Sequence, residues 1–287
     1  MRLRSVVGVL VVLAVIAGVG AFVVLRRVSP DLPGILLGRP CTVGSGDGSV
    51  SLDTAQMANA ATIAAVGLRR GVPDRAVVIA LATAFQESEL RNLAHGDRDS
   101  LGLFQQRTSQ GWGTEKQIQD PRYAAGKFYS ALLKVKGWQQ MRVTEAAQKV
   151  QRSAYPEAYQ KWADEAEVLT AALAGHAEGA VTCRVTGQPG SRGPAAAEQL
   201  GAAMRKDWGK LLTVAGGADT GIELAATSDR SGWQLAHWLV AHAADRGVSV
   251  VRFGTREWRA DSGGWKRVDA SGGGAGERVV AEVFAPA

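Results

Sequence analysis

From Ser5 to Leu25 the chain has no polar and apolar alternation: SVVGVLVVLAVIAGVGAFVVL carries no charge. At about 1.5 Å per helical residue the run covers the roughly 30 Å hydrocarbon layer of a bilayer, which predicts a membrane-spanning helix. A cleaved signal peptide is the alternative, but its apolar core runs only about 7–15 residues. After the run, VSPDLPGILLGRP and TVGSGDGSV are rich in Pro, Gly and Ser, and read as a stalk beside the membrane and a lead-in loop.

Helical spacing then takes over. SLDTAQMANAATIAAVGLRR places Met57, Ala61, Ile63 and Val66 three to four residues apart in mixed order, and Gly71 with Pro73 marks a stop and a new start. PDRAVVIALATAFQESEL is apolar almost all round, through Val77, Ile79, Leu81 and Phe85, which predicts a central buried helix. PRYAAGKFYSALLKV, VTEAAQKVQRSA and PEAYQKWADEAEVLTAALAG fit further helices. Beyond the Gly/Pro-rich RVTGQPGSRGPAA, helical patterns alternate with the strand-like GIELAAT, VSVVRFG and ERVVAEVF. The expected organisation is a membrane anchor over 1–27, a stalk over 28–50 and a helical domain over 51–183. A linker over 184–196 and a small α+β domain over 197–287 complete it. The fold class expected is mainly α.

Charge narrows the partners. The net charge is +6, but residues 1–40 hold five Arg against one Asp, residues 41–183 are balanced, and residues 184–287 hold thirteen basic against eleven acidic side chains. The surplus flanks the apolar run, where it meets lipid headgroups, and no basic stripe with interleaved aromatics points to nucleic acid. Arg2 and Arg4 before the run and Arg26 and Arg27 after it leave the orientation to other evidence. Cys41 and Cys183 are the only cysteines, an even count that suits one disulfide in an oxidising compartment, with two buried thiols as the alternative. A bridge predicts a single-pass protein of the cell membrane with its bulk outside the cytoplasm.

Glu87 stands at the exit of the apolar helix. Burial raises a carboxyl pKa, and the partial negative charge of a helix C-terminus raises it further. Both favour a protonated acid near neutral pH, the property that glycosidic cleavage requires of its proton donor. A surface glutamate at a fraying end is the alternative. Glu89 falls about 200° further round the helix and is expected in solvent. Downstream, LGLFQQ pairs the amides Gln105 and Gln106, and QGWGT sets Trp112 between glycines, a stacking surface for a pyranose or a core side chain.

Glu87 and Ser88, followed by Ser100, Gly102, Leu103, Phe104 and Gln105 in the pattern S-x-G-L-F-Q, resemble the signature of lysozyme-like lytic transglycosylases. QESELRNL, GDRDSLGLFQQR, QGWGT, DPRYAAGKFY and AAQKVQRSAYPEAY together resemble a lysozyme-like domain of actinobacterial cell-surface proteins, over roughly Ser51 to Gly175. The resemblance implies that Glu87 is the catalytic acid and base, that Ser88 and Gln105 orient it or the sugar, and that the substrate is the glycan strand of peptidoglycan. It implies one sufficient carboxyl, because the substrate's own hydroxyl closes an anhydro ring. A hydrolase needs a second carboxylate, and Asp97 and Asp99 are nearest in sequence. Where the family shows an A-Y-N-A-G run, this chain has AAQKVQRSAYPEAY, so Tyr155 or Tyr159 is expected to replace the tyrosine that contacts the acid.

The C-terminal part weakly resembles small zinc carboxypeptidase-like domains of cell-wall metabolism. With Gly221 matched to the motif glycine, the ligand positions carry Ala218 and Ala225, and RVVAEVF has no histidine. His237 and His242, five apart, point about 140° away from each other on a helix. The expectation is a metal-free remnant with no cofactor. A non-catalytic peptidoglycan-binding or envelope scaffold protein that keeps the groove is the alternative function.

Overall fold

The computed structural model describes residues 40–286 except 47, 188, 210–213, 217–220 and 269–277, with 214–216 described in backbone only. They belong to one compact unit that begins at Arg39. Three sheets and nine α-helices make it up among the described residues.

The chain enters as a hairpin, β1 (Cys41–Ser45) and β2 (Gly48–Leu52). Cys41, Val43, Val50 and Leu52 point inward while the residues between them are polar or glycine, the period-two pattern of a half-buried strand. A third strand, β5 (Val181–Cys183), pairs antiparallel with β1, so Cys41 lies directly opposite Cys183. The two are joined as a disulfide. The bridge therefore fastens the segment that enters the helical part to the segment that leaves it.

Between these strands lie α1 (Thr54–Arg69), α2 (Asp74–Ser88), the short α3 (Glu115–Ile118), α4 (Pro121–Leu132), α5 (Val143–Gln151) and α6 (Ala163–Leu173). Asp53 caps α1 by accepting from the Gln56 N–H, and the Gln56 side chain returns the bond to the Asp53 N–H. Helix α2 is buried continuously from Ala76 to Phe85, with α1, α4, α5 and α6 all packed against it. A tiny hairpin, β3 (Ser100–Leu101) with β4 (Gln106–Arg107), follows α2.

The C-terminal part has α7 (Gly193–Trp208), α8 (Asp229–Ala241) and α9 (Ala243–Arg246) with a six-stranded sheet. Its strands are β6 (Val214–Gly216), β7 (Gly221–Ala225), β8 (Val248–Phe253), β9 (Arg256–Arg259), β10 (Trp265–Arg267) and β11 (Arg278–Val283), in the order β10-β9-β8-β11-β7-β6, and every pairing is antiparallel. Helices α7 and α8 also pack on α1. Asp207, fully buried on α7, accepts from Arg122 of α4, from Thr62 of α1 at 3.1 Å and from the Trp238 indole of α8 at 2.9 Å. One carboxylate thus joins four helices from both parts.

Two expectations are corrected by this architecture. The chain is not mainly α: β1 and β2 form where residues up to 50 were expected as stalk and loop and Ser51 and Leu52 as the start of the first helix, and the sheet of the C-terminal part includes β6, which the sequence pattern did not show. The short runs CTVGS and GSVSL hide their alternation behind glycine and serine, residues that otherwise mark turns. The single-pass membrane placement is corrected too. Among the described residues no helix is long and apolar enough to cross a membrane; α1 and α7, at 16 residues each, reach about 24 Å against a layer of roughly 30 Å. The run on which that placement rested, Ser5 to Leu25, lies outside the described residues.

His237 illustrates how the two parts hold together. It is fully buried on α8, its Nδ1 bonds the Ala172 carbonyl at 2.8 Å and its Nε2 accepts from the Ala180 N–H at 3.1 Å. This fixes the proton on Nδ1, and burial pulls the pKa down to about 4. An unfolded histidine titrates near 6.5, so the unfolded chain takes up this proton first as pH falls. The stabilisation is full above about pH 6.5, is lost toward pH 4, and amounts to roughly 2 kcal/mol between pH 7 and pH 5. Urea midpoints at those two pH values should differ less in His237→Gln than in the unchanged protein.

Candidate functional site

Helix α2 delivers Glu87 to its last turn and then stops abruptly. Glu89 and Leu90 both take left-handed backbone conformations, with φ 52° and 60°, positions where glycine is the unstrained residue and others cost about 1 kcal/mol each. The Glu89 N–H donates to Phe85 at 2.9 Å and the Leu90 N–H to Ala84 at 3.1 Å, which closes the last carbonyls of the helix. Two side chains of α1 hold the reversal: Gln56 donates to the Glu89 carbonyl and Asn59 to the Leu90 carbonyl, both at 2.8 Å. Glu89 itself is exposed.

Glu87 is half-buried at this end. Its Oε1 accepts from the Tyr159 hydroxyl at 2.7 Å and from the Gln151 amide at 3.1 Å. The same Gln151 amide donates to the Phe104 carbonyl at 2.7 Å, which locks it between the end of α5 and the β3–β4 turn. No hydrogen-bond partner faces Oε2 among the described residues. Burial pushes the Glu87 carboxyl above the ordinary glutamate value, against the opposing pull of the Tyr159 and Gln151 donors. Burial, with the neighbouring Glu87 carboxylate, also pushes the Tyr159 phenol up, so that it stays a donor. The arrangement is a carboxyl whose protonated form burial favours, with one oxygen held and the other open.

Phenylalanine at position 159 keeps the ring and removes the donor that favours the Glu87 anion. The Glu87 titration, followed by carbon NMR of its carboxyl, should therefore move to higher pH in Tyr159→Phe. An unchanged or lower midpoint would contradict the contact.

The other residues expected at the site divide sharply. Ser88 is buried and donates to Leu103 O at 2.8 Å and Ala84 O at 3.0 Å, so it ties α2 to the hairpin and supports Glu87 from behind. Ser100 donates to Gln105 Oε1 at 2.8 Å, and the Gln105 amide donates to Gly102 O at 3.2 Å. This closes the β3–β4 turn on itself: a Cβ on Gly96 would lie 1.7 Å from Gln105 Oε1, and Gly102, at φ 74°, approaches the Ile118 carbonyl too closely for any side chain. Gln106 is buried and bonds the Ala124 carbonyl of α4 at 3.1 Å. Ser100, Gln105 and Gln106 thus shape the hairpin, and the first two spend their side chains on each other.

Of the two tyrosines expected to contact the acid, Tyr155 is not the one that makes the contact. It is 75% exposed, and the tyrosine that reaches the acid is Tyr159, fully buried four residues later. Asp99 accepts from the Ser109 N–H and from Arg107, contacts that hold its carboxyl well below the ordinary range, while Asp97 is exposed beside Arg98. Gln151 is the site residue that sequence reasoning missed; as the polar last residue of an amphipathic helix it looked like any solvent-facing amide.

A groove of about 710 Å³ has walls from the Gln110–Trp112 turn, from α4 and the residues just after it, and from the end of α5; Glu87 itself does not line it. Trp112 lines it, half-buried, with its carbonyl held by the Tyr123 hydroxyl at 3.1 Å. Gln151 lines it as well, so one amide belongs both to the groove and to Glu87. In the C-terminal part, Ala225 lies on β7, Ala218 is outside the described residues, and His237 and His242 make the buried contacts of α8. Among the described residues no group of three His, Cys, Asp or Glu side chains is placed to hold a metal ion. Compared with protein-family models and with curated proteins, the chain matches none.

Proposed function

We propose that the chain cleaves the glycan strands of peptidoglycan in the manner of a lytic transglycosylase, with Glu87 as the single acid and base. The observation that carries this reading is the asymmetric carboxyl: Oε1 takes both donors, Tyr159 and Gln151, and Oε2 is left open. A proton on Oε2 is positioned for transfer to the departing glycosidic oxygen, which breaks the C1–O bond. The resulting Glu87 carboxylate, stabilised by the same two donors, then takes the proton of a hydroxyl on the cleaved sugar. That oxygen closes on C1 as an anhydro ring, and the acid is restored without water.

The engagement of Asp99 with Arg107 and Ser109 supports this route over hydrolysis, because it commits one of the two candidate second carboxylates to a loop. Digestion of purified peptidoglycan by the intact chain, with soluble fragments analysed by mass spectrometry, is the test. Anhydro ends are expected. Reducing ends would replace the transglycosylase with a hydrolase, and an intact protein that releases nothing would reduce the site to a glycan-binding groove.

A further inference from the structure

The groove is positively charged. Lys127, Lys134, Lys149 and Arg152 line it, and among the described residues no carboxylate does. Lys134 and Arg152 have no ion-pair partner among the described residues. Lys127 stands 5.7 Å from the centre of the Tyr123 ring, and Lys149 acts on Glu145 only electrostatically, that acid being bonded to Arg142 at 3.0 Å. Elsewhere the protein neutralises its arginines readily, as at Arg107 with Asp99 and Arg252 with Glu257. Arg152 is also, among the described residues, one of five non-glycine residues with positive φ, at 55°, a conformation in which glycine costs less and only the side chain is gained.

A neutral glycan offers these cations hydrogen-bond acceptors but no opposite charge, and Lys134 and Arg152 find none in the described residues either. We propose that this groove recognises acidic substituents on the glycan, the carboxylates of stem peptides, and so selects peptide-bearing strands over bare ones. The proposal rests on the glycan-cleaving reading, since Gln151 connects the groove to Glu87. Trp112 supplies an apolar wall for sugar or peptide, and Lys134, Lys149 and Arg152, all exposed, supply the charge that discriminates.

The test uses Glu87→Gln, so that bound ligand stays whole, and Trp fluorescence as readout. The probes are a neutral tetrasaccharide of N-acetylglucosamine and a peptidoglycan tetrasaccharide that carries its acidic peptides. The acidic probe should bind roughly tenfold tighter at about 50 mM salt, with most of that preference gone at about 500 mM, where the screening length is only a few ångströms. Adding Lys134→Gln, Lys149→Gln and Arg152→Gln should remove the preference, the acidic probe then binding no tighter than the neutral one. Equal affinities, or a preference that survives both salt and the triple substitution, would overturn the proposal. Cleavage by the unsubstituted protein is read separately: preferential binding without cleavage removes the acid role and keeps the groove assignment, whereas cleavage without preference does the reverse.

Discussion

Glu87→Gln is expected to lower the rate of fragment release from peptidoglycan by roughly 10³-fold or more, the range over which a positioned general acid contributes. The substitution is nearly isosteric. A glutamine carbonyl accepts from Tyr159 and Gln151 as Oε1 does now, at 2.7 and 3.1 Å, and its amide occupies the open position. What it lacks is a transferable proton. The measurement is the initial rate of muropeptide release for both proteins, with thermal melts run alongside. A variant that melts like the parent and still cuts within tenfold of its rate would exclude Glu87 as the acid.

The second large effect is on stability. The Cys41–Cys183 bridge closes a loop of 142 residues in sequence, a constraint on the unfolded chain worth about 5 kcal/mol in the chain-entropy account. Total stabilities of folded domains are about 5–15 kcal/mol, so the loss is a large share. Replacing both cysteines with serine should lower the urea midpoint by roughly 2 M, and reduction of the unsubstituted protein should produce the same shift. Three register pairs join β1 to β5, too few to hold that seam unaided. A shift below about 0.5 M would mean that helix packing alone holds the two ends.

Much of this was legible from residue order, for identifiable reasons. The run from Ala76 to Phe85, apolar but for Thr83, marks a buried helix, and the charge at its exit marks Glu87, because both signals are local. The strands β1 and β2 escaped because glycine and serine mask a period of two over five residues. Gln151 escaped for a different reason, and the choice between Tyr155 and Tyr159 stayed open for the same one. Tyr159 and Gln151 reach Glu87 across 72 and 64 residues, and nothing in AAQKVQRSAYPEAY separates Tyr159 from Tyr155 until the 3₁₀ turn Gln160–Trp162 stacks its Trp162 on Phe85, with ring centres 5.0 Å apart. The amides Gln105 and Gln106 looked ready to bind sugar because composition carries no direction; the β3–β4 turn points them into the protein.

Asp207 has a consequence for inheritance. Because this one carboxylate on α7 satisfies Arg122 and Thr62 of the helical part together with Trp238 of α8, residues 51–183 do not make a transferable cassette. A gene fragment ending at Cys183 would encode α1 and α4 with the partly buried Arg122 guanidinium and the buried Thr62 hydroxyl deprived of the Asp207 carboxylate, and with the apolar faces that α7 and α8 cover laid open. Recombination that carried Glu87 and its neighbours into another protein would have to carry the C-terminal sheet and its helices along with them.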